Sequence, residues 1–512
     1  MAEETKSLLY KIKPISDRLP AVKRPEGHVH FRTKMLWVLV VLVVYYVMTN
    51  IYVFGLDQEK TLDLFAQYRT IMAGASGSLM QLGIGPIVTA SIIMQLFVGA
   101  KIIKLDLTNK EDKGCYQSVL KLLVIVMILF EAVPQVFGNL VPSAAFENAV
   151  GANMAKVLIV LQIALGSYIV FLMDEVISKW GIGSGISLFI AAGVAEALFT
   201  GTLNWNPVTM GTAMSLSNPP AGTIPKIIYV LTNCSPAELS SYGYEYIFLG
   251  QPNPLIALIG TVVIFLVVAY LESARIELPL SHGNARGARG RYPIKLIYAS
   301  NIPVILMSAL LANISMFALL FYSNDLLSGI PLLGHNQYIG YFEEGSTQAA
   351  GGLAWYLSAP SGITSWLTPI LNPGVEGNIH SPLMNLMHVV IYVSVMILGS
   401  VLFAKFWVET TNMGPRAVAN QIQKSGMQIP GFRRDPRVLE RVLERYIPTV
   451  TVLSGAIVGA LAAFADLIGT TGNASGTGVL LTVGILIHFY EAMGREQMME
   501  MNPVLRGFFG GE

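Results

Sequence analysis

The run LVIVMILFEAVPQV at residues 123–136 carries one charge, Glu131, in an otherwise apolar stretch. In hydrocarbon a backbone must satisfy its own hydrogen bonds, and a helix of about 20 apolar residues crosses that layer. Reading outward from this run, ten such segments occupy roughly 35–54, 79–100, 118–137, 154–173, 184–200, 254–274, 294–321, 384–408, 446–468 and 477–492. Composition agrees: 53% of the 512 residues are hydrophobic and 13% are charged, against about 25% charge in soluble domains. The mean hydropathy is +0.57. The chain therefore reads as one integral membrane protein, all-α, with no removable signal peptide at its start.

Charge position sets the orientation. Lys and Arg accumulate on the cytoplasmic side of membrane proteins. Here they cluster before the first segment, at 101–113, at 275–295 and at 405–445, whereas the stretch 323–383 has none. Ten spans with both termini cytoplasmic fit that distribution, and put Cys115 inside and Cys234 outside, so they cannot pair. The net charge of +1 argues against a chain that coats nucleic acid. The two long basic loops, 275–293 and 409–445, project from the membrane, and the turn-rich QKSGMQIPGFRRDPR offers its arginines to an RNA, an acidic surface or anionic lipid.

Five segments precede and five follow the external stretch 201–252, which suggests two pseudo-symmetric halves at 1–200 and 253–512, the second inverted relative to the first. The stretch 61–74 is too polar and too short to span and reads as a half-inserted, re-entrant helix. Catalytic signatures are missing: Gly-Lys never occurs, nor HExxH, nor paired cysteine ligands. No enzyme activity, cofactor or metal is expected. GIGSG at 181–185 reads as close helix packing. Charges deep in spans are costly; Glu131 is the clearest case, with Asp466 near the outer end of the ninth segment. Glu131 is either a coupling carboxylate of a solute transporter or one member of a polar contact between helices. With no second carboxylate or cation at its depth the contact is favoured, and Thr89, Gln95 and Asn313 are available to make it.

Several blocks, in order along nearly the whole chain, resemble the SecY family, the large channel subunit of the Sec protein translocon, in its archaeal and eukaryotic branch. They are RPEG at 24–27, GIGPIVTASIIMQLFVGAKII at 83–103, WGIGSGISLFIAAG at 180–193, YPIKLIYASNIPVILMSALLANI at 292–314, KSGMQIPGFR at 424–433 and GTGVLLTVGI at 476–485. The resemblance implies a pore for unfolded secretory polypeptide that also releases transmembrane segments sideways into lipid; secondary transport of a small solute is the alternative. It implies an aliphatic pore ring of Ile84, Val88, Ile186, Ile190, Ile305 and Leu461, the last matched to the tenth-span side although it falls in the ninth segment. Ile84/Val88 and Ile186/Ile190 are i,i+4 pairs, each on one helix face.

By the same resemblance the stretch 61–74 is a plug, with Asp63, Leu64, Phe65, Gln67, Tyr68, Arg69, Thr70, Ile71, Met72 and Gly74 in it, and Gly74, Gly77 and Ser78 as its hinge. Thr89, Glu131 and Asn313 match the polar latch of a lateral gate between the second/third and seventh/eighth spans. Arg286, Arg289, Arg291, Arg433 and Arg434 match the ribosome-docking loops. Implied partners are a SecE/gamma-type subunit, a beta-type subunit, the ribosome, signal peptides with their nascent chains, and membrane lipid. The implied location is an archaeal-type cell (plasma) membrane.

Overall fold

A computed structural model of the chain describes residues 10, 14, 16, 18–57, 72–100, 102–103, 105, 109–138, 140–209, 213–216, 218–282, 289–323, 336–343, 348–372, 380–424, 427–428, 436–472 and 474–501. Ten long helices follow the ten apolar segments: α1 Phe31–Thr49, α2 Gly85–Gly99, α3 Lys110–Gly138, α4 Ala152–Trp180 and α5 Gly185–Leu203, then α6 Leu255–Ser273, α7 Ile302–Ser323, α8 Pro382–Thr410, α9 Pro436–Ile468 and α10 Gly476–Met501. Among the described residues nine are long and apolar enough to cross a membrane, and α2, with 15 residues, is the short one.

Several boundaries differ from the apolar runs, for local reasons. The second run begins at 79, yet α2 starts only at Gly85. Pro86 in the first turn suits a helix start, and the preceding residues form turns around Gly83, whose φ is +54°. A Cβ on Gly83 would lie 2.1 Å from the Met72 carbonyl oxygen, so only glycine permits this approach. The seventh run begins at 294, but Ile294 and Lys295 end a strand and α7 starts at Ile302. Helices α3 and α4 outrun their segments to 29 residues each, and α10 continues to Met501.

The basic stretches are not plain loops. Strands β1 (Arg275–His282) and β2 (Arg289–Lys295) form an antiparallel hairpin with Arg275 opposite Lys295. The two small strands β3 (Tyr341–Phe342) and β4 (Ala349–Gly351) pair between α7 and α8. Strand β5 (Met427–Gln428) then joins β1, His282 opposite Met427, giving the sheet order β2-β1-β5. Beside it the helix Pro415–Lys424 inserts Val418, Ala419 and Ile422 against Leu439, Leu443, Ile447 and Val450 of α9. Those α9 residues recur every turn, so the helix is amphipathic before its apolar run begins.

One apolar core joins helices from both ends of the chain. At the end opposite the hairpin, the stretch between α5 and α6 is largely helical, with Thr223–Asn233 and Tyr244–Leu249. Lys226 is fully buried there, and its ammonium donates to the carbonyls of Gly250 at 2.7 Å and Pro252 at 2.6 Å. Burial pushes its pKa down to about 8. An unfolded chain keeps this proton up to its ordinary pKa near 10.4, so between those values folding gains stability as pH rises. The unfolding free energy of the wild type in detergent, measured relative to Lys226→Met, is expected to rise from pH 8 to pH 10, by at most about 1.4 kcal/mol per pH unit; a flat or falling difference would contradict a lysine whose pKa is lowered by burial.

Candidate functional site

Glu131 on α3 is 1% exposed, and its partner is the side chain that two neighbouring helices share. Thr89 of α2 places its hydroxyl 2.9 Å from Glu131 Oε1, 2.9 Å from the Gly85 carbonyl and 2.9 Å from Asn313 Nδ2 on α7. Asn313 donates to Thr89, whose one proton serves Glu131 or Gly85. A chain of hydrogen bonds thus crosses from α7 through α2 to α3. Asn313 Oδ1 is buried with no hydrogen-bond partner among the described residues, so the chain is not fully satisfied, the condition in which a buried network is least secure. Gln95 takes no part. It lies six residues beyond Thr89, well over a turn and a half at 3.6 per turn, and so faces away from Glu131.

One turn from Glu131, Gln135 continues the seam, and the sequence reading missed it. Gln135 Nε2 lies 3.8 Å from Met316 Sδ of α7, and Gln81 Nε2 donates to Gln135 Oε1 at 3.4 Å. Gln81 Oε1 in turn accepts from the Gly77 amide at 2.7 Å. The i,i+4 spacing of Glu131 with Gln135, and the i,i+3 spacing of Asn313 with Met316, is the signal that could have found this layer.

The six aliphatic residues assigned to a ring share the one apolar core. Ile84, Val88, Ile190 and Ile305 are buried, and Ile186 and Leu461 are partly buried against them. Leu461 sits on α9, so the tenth-span side is not its place; on α10 every residue from Gly476 to Ile485 is buried. The Ile84 amide donates to the Met72 carbonyl at 2.8 Å, tying this residue to the segment before it. Met72 is buried and Gly74 half-buried, whereas Asp63, Leu64, Phe65, Gln67, Tyr68, Arg69, Thr70 and Ile71 lie outside the described residues. Of the residues expected to form a hinge, Gly77 has φ +68° and Ser78 donates to the Ala75 carbonyl at 2.8 Å.

At the hairpin end, β2 carries Arg289 opposite Ser281 and Arg291 opposite Pro279. Arg286, Arg433 and Arg434 lie outside the described residues. The hairpin base is held to α10, where Glu491 receives Lys295 at 2.7 Å and Arg275 at 3.4 Å. The chain start is held to the same helix by Lys34 and Glu496, 2.7 Å apart.

A polar seam beside an aliphatic core, with a separate segment bonded at its edge, is the arrangement to set against known proteins. The SecY family model matches residues 78–490, and the model of the plug domain of Sec61p matches 43–77. The chain belongs to the SecY family. Protein translocase subunit SecY of Archaeoglobus fulgidus is 44% identical, with 99% of each chain covered, and that of Haloferax volcanii is 46% identical over 98% of this chain and 99% of its own. A solved protein-conducting channel superposes with a TM-score of 0.74 at 38% identity, covering 96% of this chain and 98% of the other. Sec61 from the canine ribosome-channel complex superposes at 0.72 with 37% identity and the same coverage.

For this SecY-family chain, Thr89→Val removes the shared hydroxyl and leaves Glu131 and Asn313 without it. The closed seam should weaken by about 1–3 kcal/mol, seen as a higher ion leak of the reconstituted channel, while Thr89→Ser keeps the leak low. Equal leak in both variants would show that the hydroxyl does not hold the seam.

Proposed function

We propose that the chain is the central pore-forming subunit of the Sec protein translocon, conducting unfolded secretory polypeptides and releasing transmembrane segments sideways into lipid. The observation that carries the reading is the side-chain chain Asn313–Thr89–Glu131 lying beside an apolar core that contains all six ring positions. An aliphatic waist excludes water and ions by dewetting, yet gives a moving chain no fixed hydrogen bonds to cling to. Ile84, Val88, Ile186, Ile190, Ile305 and Leu461 are the residues proposed for it. The segment 61–74 would plug it, and the strained positive φ of Ala73, with Gly77 free to turn at its own positive φ, marks where that segment would swing.

Sideways release is a matter of partitioning. A signal's apolar core is about 7–15 residues long and gains about 0.8 kcal/mol for each CH₂ it buries in lipid. The seam is held by a few hydrogen bonds of about 1 kcal/mol each, so an intercalating apolar helix outweighs it. The two halves, 1–200 and 253–512, would part there and turn about the connection 201–252.

The positive-inside rule supports both termini in the cytoplasm, and an archaeal-type plasma membrane is the proposed location. The hairpin and the stretch after α8 would then face the ribosome, with Arg286, Arg289, Arg291, Arg433 and Arg434 as contacts; the superposing canine Sec61 comes from a ribosome-channel complex. A SecE/gamma-type and a beta-type subunit complete the assembly, and translation or another motor supplies the driving force, the chain having no reaction of its own. The solute-transporter alternative is set aside by the family, and Glu131, its main support, is taken up by the seam.

A photocrosslinker at Ile84, and in a second version at Ile186, is expected to join a secretory nascent chain on a stalled ribosome, and to lose it when the signal is deleted. No crosslink from either site despite bound ribosomes would refute the pore. Separately, Glu131→Leu or Asn313→Leu should shift the hydrophobicity a signal needs for insertion; unchanged selectivity in both would remove the latch role.

A further inference from the structure

The helix Thr223–Asn233, TIPKIIYVLTN, lies between two spans and is still nearly all apolar. One side of it is buried, through Pro225, Lys226 and Val230. On another side Ile224, Ile228 and Leu231 recur at i, i+4 and i+7, and all three are exposed, Leu231 by half. Its one charge, Lys226, is turned inward. The exposed polar residues are Thr232 and Asn233, at its very end. A helix whose outer side met water would be polar there. A single exposed apolar side chain needs no explanation, but a stripe running over two turns does.

Attachments to both neighbouring spans fix the height of this helix. α5 and α6 have 19 residues each, a rise of about 28 Å, close to the hydrocarbon thickness of about 30 Å. Leu203 and Leu255, the ends nearest the stretch 201–252, therefore mark one boundary of that layer. The Gly222 amide donates to the Asn204 carbonyl at 2.9 Å, and the Thr223 hydroxyl lies 3.2 Å from the Asn253 carbonyl. One turn on, Lys226 donates to Gly250 and Pro252. The first turns of the helix are thus fastened to residues that flank both spans. Aromatic side chains gather at the same level: Trp205 follows α5, and Tyr242, Tyr244 and Phe248 precede α6, all exposed. Tyr and Trp are enriched where a membrane meets water.

We propose that the face made by Ile224, Ile228 and Leu231 lies in the boundary between headgroups and acyl chains at that end of α5 and α6, so that its occupant is lipid. Continuity chooses this occupant: the stripe begins at the level where the exposed apolar side chains of the two spans, Phe199, Leu203 and Ile259 among them, leave off. Charge decides how it is held. The stretch 201–252 contains only Lys226, Glu238 and Glu245 as charges; the lysine is buried and both glutamates are exposed. With no exposed cation, the helix is held by apolar area and not by anionic headgroups, unlike the usual basic interfacial helix. Such a helix sinks its apolar face about 5–10 Å into the boundary. The connection between the two halves would then slide in the plane of the membrane and not lift from it. The placement itself needs only that α5 and α6 span the bilayer, and nothing from the translocon reading.

The test attaches a nitroxide to Ile228→Cys in the full chain, purified with its assembled partners and reconstituted into phosphatidylcholine vesicles. Cys234→Ala removes the half-buried native cysteine, and the buried Cys115 stays. Oxygen, which dissolves among acyl chains, is expected to relax this label more than a water-soluble nickel chelate does. Added salt or anionic lipid should leave that order unchanged. Relaxation dominated by the chelate would put the face in water, and a label shielded from both would mean that protein covers it; either result overturns the proposal. Appearance of the oxygen preference only with anionic lipid would overturn it as well. Ile224→Cys repeats the measurement one turn away, so a local defect at one site does not decide it. Val262→Cys, exposed on α6, reports on the span: oxygen favoured there but not at the two stripe positions would sink the proposal and leave the span intact.

Discussion

One threonine hydroxyl stands between three helices. Thr89 is the point at which α7 meets α2 and α3 through polar groups, and everything else along that boundary is apolar packing or a soft amide-thioether contact. In a bilayer the hydrophobic effect gives helices no reason to prefer one another over lipid tails, so packing and a few hydrogen bonds decide what stays closed. Some of those few bonds lie at this seam, and others join α8, α9 and α10 at Asp466. At the seam they are incompletely satisfied, Asn313 Oδ1 having no partner among the described residues.

The rest of the structure serves this economy of polar groups. Asp466 is deeply buried, yet it is spent on holding the start of α10 through Thr477 and on Tyr392 of α8. Lys226 is spent on two carbonyls of the stretch between α5 and α6. Asn253 in the same stretch accepts from Gly472 at 2.7 Å and donates to Ala221 at 2.8 Å, fastening the turn between α9 and α10 to the residues before α6. Among the described residues these contacts leave none of their named groups unmatched, whereas the seam leaves Asn313 Oδ1. The contrast lies in the number of donors and acceptors matched, not in depth of burial.

Much of this was readable in the sequence, because the bilayer imposes a length and a polarity that show residue by residue. The ten apolar runs became ten helices, and of the three polar groups named beside Glu131, Thr89 bonds it directly and Asn313 reaches it only through Thr89. Gln95 failed as the third because a count of polar residues ignores helical phase. Gln81 and Gln135 were missed because uncharged amides do not stand out against an apolar run, although the spacing from Glu131 was there. The start of α2 and the hairpin β1-β2 depend on backbone events, the close approach at Gly83 and strand pairing with β5, which hydropathy does not encode.

The sheet β2-β1-β5 draws its strands from the connection between α6 and α7 and from that between α8 and α9. It therefore staples four helices on one side of the seam and takes nothing from α2 or α3. Whatever grips that sheet holds one jaw of a vice and leaves the opposite jaw unheld. A large body bound to that sheet would fix those four helices without touching α2 or α3.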